Sequence, residues 1–239
     1  AQLHPREWYD DLDVDLRLGQ AAIDLDLQRR RLTLADGDTV PWDRLLLATG
    51  SAVRRLFVPG ADLANILSLR TAEDSQVLRD RLLTGAPLVI IGAGWIGLEV
   101  AAAARTLGCE VTIVEPQAAP LANLLGTRLG EYVAELHRRH GVRLLLGDSV
   151  HSFVGPERVR GVVTAGGEQL MADTVLVGVG VTPNTHLARH AGLTVDDGIV
   201  VDASLRTSAS GVYAAGDVAC RFHPLLGRRI RVDHWTNAF

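Results

Sequence analysis

The chain has 239 residues, of which 47% are hydrophobic and 22% are charged, and its formal charge is −4. This length and composition are ordinary for a globular protein with a sizeable core. The acidic balance argues against a broad nucleic-acid interface, which needs clustered positive charge. All 24 basic residues are arginines, so these residues offer no lysine for Schiff-base or P-loop chemistry.

The two cysteines, Cys109 and Cys220, lie far apart in the sequence. Because there is no Cys-x-x-Cys pair, the sequence lacks the signature of a redox dithiol or a zinc knuckle. We expect both thiols to be small core residues. Two isolated thiols suit a reducing compartment, and we find no signal peptide and no apolar run long enough to cross a bilayer. The sequence therefore predicts a cytoplasmic protein with no membrane partner.

The first fifty residues predict short strands. Residues 21–27 alternate apolar and polar side chains, residues 31–34 form a second such run, and Asp36-Gly37 is a turn signal. The run Leu45–Gly50 predicts a buried strand that ends in small residues.

Apolar positions at helical spacing predict two helices, over Ser75–Leu83 and over Leu129–His140. The second helix is closed by Gly141, just past its basic last turn, as helix C-termini prefer. His137 and His140 lie three apart on it but lack a third ligand at metal spacing. They predict a polar helix face rather than a metal site.

The segment over residues 87–115 predicts a βαβ dinucleotide site. Four apolar residues run into the turn Gly92-x-Gly94-x-x-Gly97, a helix of small residues follows, and a second apolar run ends on Glu115. The first glycine allows the tight turn, the second lets a pyrophosphate approach the backbone, and the third lets the helix lie close to the strand. The helix N-terminus offers free N–H groups and its positive dipole end to the phosphates.

The acid at the end of this unit predicts which dinucleotide binds. Glu115 follows Gly94 by 21 positions and is placed to accept hydrogen bonds from a ribose 2′-hydroxyl. A 2′-phosphate would meet a like charge there, and no arginine follows within the next few residues. The site therefore predicts NADH rather than NADPH.

The rest of the chain alternates apolar runs with glycine-rich turns. Val142–Leu146, Val150–Val154 and Val159–Thr164 predict a small meander. Thr174–Val181 predicts another buried run, and Val212–Asp217 predicts a buried strand that meets an acid at its end.

Four motifs follow one another along the chain. They are Ala48-Thr49-Gly50, the Gly-rich unit at residues 92–97, Gly178-x-Gly180-x-x-Pro183-Asn184, and Thr207–Asp217. Their order and spacing resemble those of the pyridine nucleotide–disulfide oxidoreductase superfamily, the two-dinucleotide flavoprotein reductases, over nearly the whole chain. The resemblance implies an α/β, three-layer fold similar to glutathione reductase, with a complete NAD-binding Rossmann-like domain and a partial FAD domain.

Three further segments, at residues 69–71, 136–142 and 231–238, resemble the ferredoxin reductase branch of that superfamily, to which rubredoxin reductases are closely related. The branch usually has Glu where this chain has Asp233. The resemblance implies the cofactors NAD(H) and FAD, with hydride passing from NADH to FAD and single electrons then passing to a ferredoxin or rubredoxin that serves an oxygenase or cytochrome P450. Such a transfer requires no catalytic side chain.

Two other functions stay open. The resemblance extends to flavoproteins of the apoptosis-inducing-factor type, in which the NADH-bound state changes partner binding, so a redox sensor is one alternative. A nucleotide-binding fragment without turnover is the other.

The resemblance also assigns residues to the two cofactors. Asp217 would accept a hydrogen bond from the FAD ribitol, with Gly216 giving the backbone room, and its alternative role is to cap a following helix. Trp95 would cover the nicotinamide pocket, or else be a partly buried residue at a domain interface. Glu99 would contact the nicotinamide end, although a first-turn Glu is also favoured by the helix dipole. The resemblance also assigns Ile96 and Gly178 to the binding of the nicotinamide nucleotide. It assigns five further residues to the binding of FAD: Ala22, Thr49, Gly50, Arg70 and Trp235.

Packing or surface roles are the alternatives for Ala22, Arg70 and Trp235.

The family has two Gly-rich βαβ sites, the first of which holds the FAD pyrophosphate, and this chain contains only the second. We therefore expect it to be the middle of a longer protein whose oligomeric state is open. The predicted divisions are a partial FAD-binding domain over 1–50, an NAD(H)-binding domain over 51–175 and the returning FAD-binding segment over 176–239.

Overall fold

The computed structural model describes residues 4–232. Its helices are α1 (Arg6–Asp11), α2 (Ala72–Leu82), α3 (Trp95–Thr106), α4 (Ala122–Leu125), α5 (Thr127–Arg139) and α6 (His186–His190), with a 3-10 turn at Gly216–Val218. Its strands are β1 (Ala22–Asp26), β2 (Arg31–Leu34), β3 (Thr39–Pro41), β4 (Leu45–Leu47), β5 (Ser51–Val53), β6 (Ile66–Leu67), β7 (Leu88–Ile91), β8 (Val111–Glu115), β9 (Val142–Leu146), β10 (Val150–Val154), β11 (Gly161–Thr164), β12 (Gln169–Met171), β13 (Thr174–Val177), β14 (Val181–Pro183), β15 (Val195–Asp196), β16 (Gly198–Val201), β17 (Val212–Ala214), β18 (Ala219–His223) and β19 (Arg228–Arg231).

These elements belong to two compact units. The central unit is Val53–Val181, and the flanking unit is made of the chain up to Ala52 and from Thr182 onward. Each unit has its own buried core.

The central unit is built on a parallel sheet with the strand order β6-β13-β7-β8-β9. Its middle strands are short apolar runs, as strands buried on both faces require. Successive residues of β7 point to opposite faces: Leu88 and Ile90 join one core cluster, and Val89 and Ile91 join another. Because the strands are parallel, their carboxyl ends all lie at one edge of the sheet.

This unit has three layers. Helices α2 and α3 cover one face of the sheet, where Leu78, Leu98 and Ala101 pack against Ile90 and Ile113. The antiparallel sheet β10-β11-β12 supplies the side chains that pack on the other face, among them Phe153, Val162 and Leu170. The parallel sheet is therefore buried on both sides.

The predicted helices are present, and both begin earlier than predicted. Helix α2 begins three residues before Ser75, because Thr71 and Asp74 form a capping box in which each side chain accepts a backbone N–H of the other residue. Helix α5 is followed, as predicted, by Gly141, whose φ of +80° favours glycine.

Two predictions from the sequence are wrong in detail. The run Val142–Leu146 does not belong to the meander but is the outer strand β9 of the parallel sheet, paired with β8. A short apolar run does not reveal its partner, and the meander is instead completed by Gln169–Met171. The run Leu45–Gly50 is not wholly buried, since Leu46 is 58% exposed while Leu47 is buried.

The flanking unit contains three small sheets within the described residues. β1, β2 and β3 form an antiparallel sheet, β4 and β17 form a parallel pair, and β15, β16, β18 and β19 form a third sheet. Its core includes Leu25, Leu47, Ile199, Val212 and Val218. The sequence prediction missed the third sheet and helix α1, because these segments have neither a clean two-residue nor a clean helical period.

Both cysteines are buried, as predicted. The Sγ of Cys109 lies 3.2 Å from the carbonyl oxygen of Leu82. Burial raises the pKa of each thiol above its usual value.

Over the part of the chain that the structure describes, no helix combines the length and apolarity needed to span a membrane.

Helix α2 provides a test of the central core. Leu78 is 4% exposed and its neighbour Val77 is 48% exposed. We expect Leu78→Ala to lower the free energy of unfolding by about 2–5 kcal/mol through lost burial and an unfilled cavity. Val77→Ala is the matched control and should change it by no more than about 0.5 kcal/mol. Denaturant titration followed by circular dichroism measures both, and equal effects would mean that α2 does not pack on the sheet as described.

Candidate dinucleotide-binding site

The first glycine of the turn lies where two backbones come close together. Gly92 has φ of +105°, and a β-carbon on it would lie 2.5 Å from the carbonyl oxygen of Gly178. Gly178 follows β13 and donates its N–H to the carbonyl oxygen of Ile91 at 2.8 Å. The structure thus brings two of the predicted site residues, Gly92 and Gly178, together at the ends of neighbouring strands.

The other two glycines differ from each other in their surroundings. A β-carbon on Gly97 would lie 2.2 Å from the carbonyl oxygen of Gly92, so the absence of a side chain allows α3 to pack on the turn. Around Gly94 no atom of the described residues, other than the glycine and its two chain neighbours, lies within 4 Å of where a β-carbon would stand. Gly94 therefore faces open space, as expected of a residue that admits a ligand to the backbone.

Helix α3 begins directly after Gly94. Its first intrahelical bond runs from the N–H of Leu98 to the carbonyl oxygen of Gly94 at 3.0 Å, and no side chain of the described residues caps this end. Trp95 and Ile96, its first two residues, are 55% and 40% exposed. The end of the helix combines N–H groups, a positive dipole end and room beside the backbone, which together suit a phosphate.

The carboxylate of Glu115 is held by backbone donors on two sides. Its Oε2 accepts the N–H of Ala93 at 2.7 Å, and its Oε1 accepts the N–H of Gln117 at 2.9 Å. Strand β8 pairs in parallel with β7, which brings the acid beside the Gly-rich turn. Each carboxylate oxygen has two lone pairs, so one backbone bond to each leaves capacity for a ligand hydroxyl.

The structure corrects the alternative interpretation of Glu99. This exposed residue is the fifth of α3 and lies beyond the first turn. Since the effect of the helix dipole falls off within one turn, it does not explain why a glutamate stands at position 99.

On the flanking unit, the candidate flavin residues gather at the ends of β4 and β17. These strands are parallel neighbours, and the N–H of Ala215 donates to the carbonyl oxygen of Leu47 at 3.1 Å. Thr49 and Gly50 follow one strand, and Gly216 and Asp217 follow the other. Both segments therefore leave the strand pair at the same edge.

The helix-cap alternative for Asp217 is wrong. Asp217 lies inside the 3-10 turn Gly216–Val218, not before it, and the next element is strand β18. Gly216 has φ of +71°, a conformation that favours glycine.

An open cavity of about 630 Å³ brings Ala22 and Thr49 together in the flanking unit. Asn184, also in its lining, holds the end of the Leu45–Gly50 segment. Its Nδ2 donates to the carbonyl oxygen of Thr49 at 2.8 Å, its carbonyl oxygen accepts the Thr49 hydroxyl at 2.7 Å, and its N–H donates to the carbonyl oxygen of Gly50 at 2.9 Å. Asn184 belongs to the Gly178–Asn184 motif, but nothing in the sequence of that motif reveals this role.

The remaining predicted residues have other surroundings. Arg70 is an exposed residue of the central unit that precedes α2, and its N–H donates to Asp74 Oδ2 at 2.9 Å. Trp235 lies outside the described residues.

Histidines and acids form no metal centre within residues 4–232. His140 is exposed, as predicted for a polar helix face, but His137 is not. His137 is half-buried, with Nδ1 3.0 Å from the carbonyl oxygen of Val133 and Nε2 3.3 Å from that of Leu98, so it bridges α5 and α3.

Comparison with known proteins agrees with this geometry. Residues 7–239 match the pyridine nucleotide-disulphide oxidoreductase family. The chain belongs to this family.

Two relatives and one solved structure illustrate the likeness. The chain is 40% identical to the ferredoxin–NAD(+) reductase component of the anthranilate 1,2-dioxygenase system of Burkholderia cepacia, over 97% of this chain and 57% of that protein. It is also 40% identical to rhodocoxin reductase of Rhodococcus erythropolis, over 99% of this chain and 56% of that protein. The crystal structure of the ferredoxin reductase for the CYP199A2 system of Rhodopseudomonas palustris superposes with a TM-score of 0.94 at 37% identity, covering 99% of this chain and 59% of that one.

The chain therefore spans somewhat more than half the length of the relatives it matches. Membership of the family implies the cofactors NAD(H) and FAD. The residues of the central unit fit a dinucleotide, because the space beside Gly94, the N-terminus of α3 and the acceptor atoms of Glu115 lie at one edge of the sheet. For FAD, the chain holds strand-end segments but only one Gly-rich turn of the phosphate-binding form.

Gly92 and Gly94 give a matched test of the conformation of the Gly-rich turn. We expect Gly92→Ala to destabilise the central unit by more than about 1 kcal/mol, because the added carbon meets backbone at a positive φ. Gly94→Ala should leave the free energy of unfolding nearly unchanged, because its backbone is extended and the space is open. Thermal unfolding of both variants measures the difference. A tolerated Gly92→Ala would show that the turn does not have this conformation.

Proposed function

We propose that this chain supplies the NADH-binding part of a flavoprotein reductase that passes electrons to a ferredoxin-type iron–sulfur protein. The observation that carries the proposal is the position of Glu115, which backbone N–H groups hold against the Gly-rich turn at the carboxyl edge of a parallel sheet. Ligands of open α/β sheets bind at this edge.

Each part of the site has a task in binding. Gly94 and the start of α3 receive the pyrophosphate, because the backbone is open there and the helix end is positive. Glu115 accepts hydrogen bonds from the adenosine ribose and disfavours a 2′-phosphate through like charge. Gly178, Trp95, Ile96 and Glu99 stay proposed contacts of the nicotinamide end.

The flavin side of the proposal rests on the flanking unit. The three hydrogen bonds between Asn184 and the Thr49–Gly50 segment fix the chain that follows β4. Gly216, with φ of +71°, would give the backbone room beside the FAD ribitol. Ala22, Asp217, Arg70 and Trp235 stay proposed FAD contacts. When bound, FAD would supply the chemistry of hydride acceptance and one-electron release, while the residues of this chain would bind and orient the cofactors.

The relatives support a proposal for the electron acceptor. One relative is the ferredoxin–NAD(+) reductase component of a dioxygenase system, the solved structure is a ferredoxin reductase for the CYP199A2 system, and the other relative is a rhodocoxin reductase. We therefore propose a ferredoxin as the partner of the whole protein, serving an oxygenase or a cytochrome P450, with a rubredoxin as the alternative.

The proposal is tested in two steps. NADH is first titrated into the purified chain and binding is followed by its fluorescence, with NADPH as the comparison. The chain is then incubated with FAD, desalted and mixed anaerobically with NADH, and the visible spectrum is recorded. Retained flavin that bleaches supports the reductase, and subsequent reduction of a ferredoxin supports the partner. Failure to bind NADH would overturn the proposal, whereas NADH binding without retained flavin would limit these residues to the nucleotide site.

The ribose contact gives a selectivity prediction. We expect Glu115→Ala to weaken NADH binding by about tenfold or more, the usual effect of losing a hydrogen bond to a charged group, and to narrow the preference over NADPH. Glu115→Gln removes the charge and keeps one acceptor oxygen, and therefore one of the two backbone hydrogen bonds. It should raise NADPH affinity above that of the wild type, with a smaller loss of NADH affinity than Glu115→Ala shows. An unchanged NADH-to-NADPH ratio in both variants would remove Glu115 from the site.

The pyrophosphate contact gives a second prediction. Gly94→Ala, which should fold normally, is expected to weaken NADH and NADPH binding alike by about tenfold or more, because its β-carbon fills the space where the phosphates approach. Fluorescence titration of the folded variant measures this. Wild-type affinity for both dinucleotides would place the pyrophosphate elsewhere.

A further inference from the structure

Glu115, the acid proposed to contact the ribose, is supported by the loop that follows strand β9. Beyond Glu115 the chain turns through Gln117, and the loop after β9 runs beside it. The N–H of Gly147 donates to the carbonyl oxygen of Gln117 at 3.0 Å, and the N–H of Asp148 donates to that of Glu115 at 3.3 Å. The short turn that carries the acid is thus held by two main-chain bonds from this loop.

The loop is itself fixed by one side chain. Asp148 Oδ1 accepts the N–H of Ser149 at 2.8 Å and that of Gly166 at 3.0 Å. Gly166 belongs to the turn between β11 and β12, so this carboxylate connects the antiparallel sheet to the loop. A β-carbon on Gly166 would lie 2.9 Å from Asp148 Oδ2, which shows how closely the turn approaches the carboxylate.

These contacts favour the ionised form of the group. A hydrogen bond from the Thr164 hydroxyl, with further ones from backbone N–H groups of Gly166 and Ser149, lowers the pKa of Asp148 below its usual value. The carboxylate therefore keeps its acceptor role over the neutral range.

The contacts form a continuous path from the antiparallel sheet to the Gly-rich turn. The path runs from Gly166 through Asp148 to the main chain at Glu115, and from the Glu115 carboxylate to the N–H of Ala93. Every step is a hydrogen bond, and only Asp148 and Glu115 contribute side chains. Loss of the Asp148 side chain would release the loop after β9. The Glu115 carboxylate would then be held less firmly in its orientation.

We propose that Asp148 is a positioning residue for dinucleotide selectivity, which holds the Glu115–Gln117 turn so that the Glu115 carboxylate faces the ribose. The inference rests on the proposed function, because it assumes that NADH binds at this edge. Asp148 itself is not expected to touch the nucleotide. Its effect is on the ratio of NADH to NADPH affinity, since a loosened acid both binds a 2′-hydroxyl less well and repels a 2′-phosphate less strongly.

The test compares dissociation constants for NADH and NADPH in the wild-type chain and in variants. Asp148→Ala should weaken NADH binding by about three- to tenfold and bring the two constants closer together. Asp148→Asn keeps an oxygen acceptor for the two N–H groups and should recover most of the ratio. Asp26→Ala is the matched control, because Asp26 Oδ1 likewise accepts two backbone N–H groups, from Gln28 and Arg29, but in the flanking unit. It should leave the ratio unchanged.

A merely structural role has a different signature. If Asp148 only stabilises the fold, Asp148→Ala will lower the unfolding midpoint and weaken both dinucleotides equally, and the inference is overturned. If Asp148→Ala fails to fold, Gly166→Ala is used instead, because it displaces the same carboxylate without removing it. If the inference holds, this variant must bring the dissociation constants for NADH and NADPH closer together. Absence of NADH binding in the wild-type chain would instead count against the proposed function, so the two failures are distinguishable.

Discussion

The close approach of main chain to main chain at the end of β7 is the constraint on which the nucleotide site depends. The carbonyl oxygen of Gly178 occupies the space next to Gly92, and the carbonyl oxygen of Gly92 occupies the space next to Gly97. Neither neighbour can yield in the way that a flexible side chain can. The start of α3 is consequently fixed against two strands, and the direction of its N–H groups follows from the backbone rather than from any side chain.

This constraint works only because the sheet behind it is buried on both faces. The side chains of β7 and β13 are packed between helices on one side and the β10-β11-β12 sheet on the other. Such interiors are close-packed and resist displacement, so the carboxyl edge of the sheet is a firm base for the turn. The antiparallel sheet therefore does more than cover an apolar face, since its turn at Gly166 also contacts the loop that supports Glu115.

The sequence predicts the central βαβ unit closely, for a physical reason. Its elements are local: an apolar run, three glycines at fixed spacing and an acid one strand later all lie within thirty residues. What the sequence does not predict depends on distant partners. Val142–Leu146 looks like part of a meander until its pairing with β8 is known, and Asn184 has no evident role until it lies beside Thr49, which is 135 positions earlier in the chain. The capping role of Asp217 fails similarly, because no local signal shows that a strand, not a helix, follows it.

The two carboxylates at the nucleotide edge share one design. Glu115 and Asp148 each accept two backbone N–H groups, and within residues 4–232 neither carboxylate is held by a hydrogen bond from a cationic side chain. An acid aimed by main chain keeps its direction as long as the backbone does, and it keeps its negative charge unneutralised. For Glu115, that combination suits the proposed task of accepting ribose hydroxyls and repelling a 2′-phosphate, because a neighbouring arginine would help to orient the acid but would also attract the phosphate. The absence of an arginine from the Pro116–Ala122 segment is therefore consistent with the proposed preference for NADH.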